Sequence, residues 1–349
     1  MEFFDPTSNF NGKSLILWGG GKKLTEFIND YVETGLIPRP IGICDTTRPL
    51  GEQECGIKSI SMDQLRKMHP KETAIIITAG LLELQGAIVR NELYYFQITH
   101  RLAIETHFEL IKKIRVFANN LHLFSDDRSK QIYTSRLQSL LQSQLIDVSL
   151  YSYPPYFGNE IFGQLSPGER IFFAGAFNGK HVENMLESCP KVEIIACEPS
   201  PFWSKYLAEQ FKKSENVKIN NTLLWDSANE MYFDDDLQNG GLDAQILKSP
   251  KEGSTKIPTD TIDNLSQGKK IDYIFLDVEG AEQKVLQGAR QTISQFVPKM
   301  GICIYHTFDD YIEIPRILGE EYGDKYQFYV RQHSVINRIE TVLYAKPVV

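Results

Sequence analysis

The chain has 349 residues, more than one average domain holds, so length alone sets an expectation of two domains. Hydrophobic residues make up 42% and charged residues 23%, an ordinary globular balance with enough apolar surface for a sizeable core. The net charge of −8 argues against a sequence-independent nucleic-acid binder, which needs a basic face to displace counterions.

The first elements alternate from Lys13 to about Leu93. Ser14 to Trp18 reads as a strand and runs into Gly19-Gly20-Gly21. Leu24, Phe27, Ile28, Tyr31 and Val32 then recur at helical spacing, and Gly35 fits the C-cap. Pro40 to Asp45 is a second strand, Ser61 caps a short helix, and Ala74 to Thr78 is an apolar third strand. Strand, helix, strand, helix, strand predicts a small α/β domain over residues 1–105. Residues 106–150 read as a helical connector, with Leu137, Leu140, Leu141 and Leu145 in helical register, until Pro154 and Pro155 break the pattern.

A second alternation fills residues 151–349. Its strands read as Ile171–Ala174, Glu193–Cys197, Thr222–Trp225, Tyr273–Leu276 and Ile302–Tyr305, then Gln327–Val330 and Thr341–Ala345. The stretch from Gln332 to Arg338 is too short for a parallel crossover, so the last two strands should form an antiparallel hairpin. Asp234-Asp235-Asp236 and Gly240-Gly241 read as a solvated loop.

Three strand ends carry chemistry. Ala174-Gly175-Ala176-Phe177-Asn178-Gly179 lies between a strand and a helix, where glycines let backbone approach a ligand. Glu198 ends the next strand, the place from which a carboxylate can accept hydrogen bonds from both ribose hydroxyls of an adenosine cofactor. Asp277, Glu279 and Glu282 cluster after the strand ending at Leu276; a helix-start acid suits Glu282, while Asp277 and Glu279 sit in the turn. His306 ends the following strand at the same sheet edge and is the best candidate among seven histidines for a general base.

These residues carry a resemblance. The tract Ile271 to Glu282, continuing through Val285 to Ala289, resembles the most specific motif of the FkbM family of methyltransferases. Ile302 to His306, Asp309-Asp310, Ile314-Pro315, Arg331 to His333 and Glu340 to Ala345 match its C-terminal pattern in order and spacing, and Asp127 to Ser129 and Tyr156-Phe157 resemble its lead-in, so the likeness covers about 126–345. The resemblance implies a seven-stranded Rossmann-like methyltransferase sheet with an antiparallel terminal hairpin. It implies S-adenosylmethionine as donor and O-methylation of a sugar, glycan or natural-product acceptor. On that reading Gly175, Ala176, Asn178 and Gly179 hold the methionine end of the cofactor, Glu198 holds the ribose and Asp226 lies near the adenine. His306 is the base, Asp277 and Glu279 orient the acceptor, and no metal is assigned. Relatives carry an acid where this chain has Phe173, and often another where it has Lys180.

At the N-terminus, Leu17 to Lys22, Ile43 to Asp45, Gly56-Ile57 and Ala74 to Thr78 resemble the small Rossmann-like modules found beside sugar-modifying enzymes. Leu24 replaces the third glycine of the dinucleotide fingerprint, and Asp45 is placed to meet a ribose. Two rival readings follow: a degenerate methyltransferase-fold binding protein, grounded on Phe173, and a nicotinamide-dependent sugar-modifying enzyme working through the N-terminal domain. The five cysteines form no C-x-x-C pair and read as buried free thiols. The sequence shows no signal peptide and no apolar run of membrane-spanning length, so the expectation is a cytoplasmic protein; it leaves the oligomeric state open.

Overall fold

The structure, a computed structural model, describes residues 5–45, 48–78, 88, 92–142, 146–234, 245–247, 249–250, 253–334 and 340–348. The chain divides into two compact units, Met1–Lys112 with Arg136–Leu145, and Lys113–Ser135 with Ile146–Val349. The helices Arg101–Leu123 and Asp127–Gln142, which the sequence places in or beside a connector, each give residues to both units.

The first unit holds β1 (Ser14–Trp18), β2 (Gly42–Cys44), β3 (Gln53–Glu54), β4 (Ile57–Ile60), β5 (Thr73–Ile77) and β6 (Gln97–His100). They form one sheet in the order β3-β4-β2-β1-β5-β6, parallel except for the β3–β4 hairpin. Alternation divides its side chains between two cores. Leu15, Leu17, Ala74 and Ile76 join Leu24, Phe27 and Ile28 on one side; Ile16, Ile75 and Ile77 join Leu65 on the other. The helix begun at Lys22 continues as a π-turn through Val32, and Ser61 caps the helix Met62–Arg66 in a capping box with Gln64. β4 and β6, four residues each, are strands that the sequence reading did not resolve.

The second unit holds β7 (Arg170–Ala174), β8 (Glu193–Cys197), β9 (Val217–Asn220), β10 (Leu223–Leu224), β11 (Asn229–Asp234), β12 (Gln245–Leu247), β13 (Thr255–Asp260), β14 (Tyr273–Leu276), β15 (Lys299–Cys303), β16 (Tyr326–Gln332) and β17 (Thr341–Pro347). Seven of these make the main sheet, ordered β16-β17-β15-β14-β7-β8-β9. The five from β15 to β9 run parallel, and β16 and β17 form the expected antiparallel hairpin, with Gln332 opposite Thr341. β14, wholly apolar, is buried at all four positions, as a central parallel strand must be.

One strand assignment is corrected. The third parallel strand is β9, whereas Leu223 and Leu224 belong to a separate sheet ordered β10-β13-β11-β12. Of the expected loop, Asp234 closes β11, and Asp235, Asp236, Gly240 and Gly241 lie outside the described residues. All five cysteines are free; Cys55 is exposed, against the expectation that each is buried.

Candidate functional site

Four neighbouring strands, β15, β14, β7 and β8, deliver their C-terminal ends to one edge of the main sheet. Gly175 follows β7 with φ +83°, and a Cβ there would stand 1.8 Å from the carbonyl oxygen of Asp277. Only glycine lets the turn after β7 press this closely on the turn after β14. The amides of Gly175 and Ala176 both donate to the carbonyl of Cys197, at 3.0 and 3.2 Å, which ties the turn to the end of β8.

Glu198 is 5% exposed. Its Oε2 accepts from the amide of Phe177 at 2.7 Å and its Oε1 from the amide of Ser200 at 2.9 Å. These two bonds fix the aim of the carboxylate. Phe177 and Trp203 lie beside it, ring centroids 4.5 Å apart.

A cavity of about 340 Å³ opens at this edge, within the range of small-molecule sites. Gly175, Ala176, Asn178 and Glu198 line one part of it, and Asp277 and Glu279 another. Sequence reasoning missed His181, Trp203, Tyr305 and Glu340, which also line it. Three nominated residues are not among its lining. Gly179 caps the helix Lys180–Ser188 with φ +79°, and a Cβ there would meet Leu207 at 2.6 Å, so it serves close packing. Asp226 pairs with Lys284 at 2.8 Å. His306 lies behind Asp277 with a side chain 7% exposed.

The electrostatics centre on that histidine. Its Nδ1 stands 2.8 Å from Glu282 Oε1, and its Nε2 stands 3.3 Å from Asp277 Oδ1 and 3.6 Å from Glu279 Oε2. Burial opposes the charged ring, but Asp277 and Glu282 outweigh it and raise the pKa to about 11. Burial likewise opposes ionised Asp277, yet His306 holds it below the usual carboxylate range. The hydroxyls of Tyr305 and Tyr156 donate to the two oxygens of Asp277 at 3.1 and 3.3 Å. Burial and then Asp277 push Glu340 up to about 7, while burial lowers His181. Phe173 is buried and packs against Tyr156 and His181 at centroid distances of 5.7 Å. Lys180 lines the cavity and pairs with Glu183 at 3.4 Å.

A parallel sheet closed by an antiparallel hairpin, with a glycine turn and a buried acid at successive strand ends, is the architecture of the Rossmann-like methyltransferases. Residues 174–326 match the family described as Methyltransferase FkbM domain. That match supports a methyltransferase. Its fold is similar to the crystal structure of Methyltransferase FkbM from Methylobacillus flagellatus KT, with a TM-score of 0.61 at 17% identity, over 96% of this chain and 90% of that one. More distant are an Aeropyrum pernix fibrillarin with natively bound S-adenosyl-L-methionine (TM-score 0.34, 14% identity, 52% of this chain and 67% of that one) and a Streptococcus thermophilus rRNA methylase (0.35, 11%, 53% and 90%). No curated protein matches the chain by sequence. Among the described residues no helix is long and apolar enough to cross a membrane.

Proposed function

We propose that the chain is an S-adenosylmethionine-dependent O-methyltransferase acting on a hydroxyl of a sugar, glycan or natural-product acceptor. One observation carries this reading. The glycine turn with Glu198 and the Asp277–Glu279 turn line a single cavity at the C-terminal edge of a parallel sheet, the place where such sheets bind ligands. When bound, S-adenosylmethionine supplies an electrophilic methyl on a sulfonium. The residues present fit it. Glu198 stands buried at the end of β8 as a carboxylate for the ribose, Gly175, Ala176 and Asn178 line the same cavity where the amino-acid end would lie, and the Phe177–Trp203 pair offers aromatic faces beside the acid.

At the acceptor side, the work of the protein is alignment and exclusion of water. Asp277 and Glu279 line the cavity, and we assign to them the orientation of the acceptor hydroxyl and the uptake of its proton. The sequence nominated His306 for that proton. Asp277 and Glu282 favour the protonated ring, which accepts no further proton, so its surroundings support a positioning part, in which it favours the ionised form of Asp277 and fixes its aim.

Titration calorimetry with S-adenosylmethionine and S-adenosylhomocysteine tests the donor. Saturable binding is expected, weakened in Glu198→Gln by about 1.5 to 3 kcal/mol, the scale of charge-assisted hydrogen bonds. Failure of the folded wild type to bind either nucleoside would remove the reading. Phe173 favours a second one, a methyltransferase-fold protein that recognises a ligand without turnover, because an aromatic cluster stands where relatives carry an acid. It predicts no thermal shift with either nucleoside, since only a bound ligand raises stability by mass action.

A further inference from the structure

The space between Asp277, Glu282 and His306 is built unlike an ordinary ion pair. One ligand-capable atom from each of the three residues lies within 4.8 Å of the others, a spread that a single small cation can bridge. The ring nitrogens of His306 come within 2.8 to 3.6 Å of three carboxylates, yet neither nitrogen has a hydrogen bond of acceptable alignment. Glu282 is fully buried, and its Oε2 has no hydrogen-bond partner either. Buried polar atoms normally find partners, and the exceptions call for an explanation. Charge points the same way. Asp277, Glu279 and Glu282 surround one imidazole, with Asp310 near Glu282 and Glu340 near Asp277. Two carboxylates with one imidazole, whose second proton an incoming cation would displace, form a donor set suited to manganese, and Asp277 opens it to the cavity.

We propose that Asp277, Glu282 and His306 form a divalent-cation site, with Glu279 at its cavity rim. The backbone prepares it. The amide of Val278 donates to Glu282 Oε1 at 3.0 Å and holds that carboxylate against the ring, while the Tyr305 and Tyr156 hydroxyls hold Asp277. A cation there faces the cavity through Asp277 and takes an acceptor hydroxyl or a vicinal diol as a further ligand, polarising the O–H. That part of the inference rests on the proposed methyl-transfer reading; the binding of the ion does not.

The test uses manganous ion alone on the full chain, followed by electron paramagnetic resonance and calorimetry. One saturable site is expected, displaced by magnesium, with nitrogen hyperfine coupling from a directly bound imidazole. His306→Gln should abolish the coupling. Asp277→Asn and Glu282→Gln should each weaken binding at least about tenfold. Asp277, part exposed, keeps the test decisive if the fully buried Glu282 variant does not fold. Absence of saturable binding at millimolar manganese, or binding indifferent to these substitutions, would overturn the site and leave an ion pair only. Measuring S-adenosylmethionine affinity in chelator separates the two claims, because nucleoside binding without manganese binding sinks this inference alone.

Discussion

Tyr305 and His306 lie ring against ring, centroids 4.1 Å apart, and both reach Oδ1 of Asp277, yet only the tyrosine lines the cavity. His306 is therefore expected to matter first for stability. His306→Gln removes the cation between Asp277 and Glu282, and breaking a buried charge cluster from one side costs about 3 to 5 kcal/mol. Urea unfolding should show that loss, with nucleoside affinity within about a factor of three of wild type, since the ring does not line the cavity. A variant of unchanged stability would show that the ring carries no charge of consequence. The sequence located Gly175, Ala176, Asn178, Glu198, Asp277 and Glu279 because position at a strand end is legible from hydrophobic runs and their breaks. It could not locate His181, Tyr305 or Glu340, whose places depend on which way a side chain turns, nor the charge on His306, which depends on burial.

At the scale of elements, the errors trace to strands that bury little. β9 reads Val-Lys-Ile-Asn and none of its four residues is fully buried, whereas Leu223, Leu224 and Trp225 a few positions on look like the stronger strand. Edge strands need fewer apolar residues, so composition favoured the wrong segment. The parallel core strands and the terminal hairpin were legible because a central strand is apolar on both faces and a short linker forbids a crossover. The helices before residue 143 hold a further consequence. Asn120 donates to Tyr133 at 3.0 Å and to the carbonyl of Ile312 at 2.8 Å, and Phe117 and Tyr133 stack at 5.0 Å. A fragment beginning at Leu121 lacks Phe117 and Asn120. It is expected to be less stable than one beginning at Lys113 by about 3 to 5 kcal/mol, the scale of deleting one buried aromatic. Equal melting temperatures would show that the helix ahead of Leu121 adds nothing to the second unit.

For the molecule as a whole, length and composition set the expectation of two compact units, and the described structure has two. Their borders were harder to read, because a helix that serves two cores shows the same periodicity as one that serves a single core. Acid should act through a long-range cluster in the second unit. Arg331, 3% exposed, meets Asp126 and Glu160 at 2.6 Å each. Burial opposes ionisation of both acids, yet Arg331 holds each below the usual carboxylate range. A depressed folded pKa gives stability that is present above the unfolded value and is lost as pH falls through the folded one, here below about pH 4. Melting curves of the wild type and Arg331→Met should converge across that window, and curves that stay parallel would show that the cluster is not what acid breaks.

The path of the backbone has its own corollary for protease experiments. The chain passes between the two units three times, after Lys112, Ser135 and Leu145. A single cut just beyond Gln142 therefore leaves residues 113–135 on the N-terminal fragment, although their partners in the second unit, Tyr311 and Ile312, lie on the other. The nicked protein should migrate as one particle on a sizing column and as two bands only in denaturant, so the absence of separated fragments after digestion is no sign that the protease failed to cut.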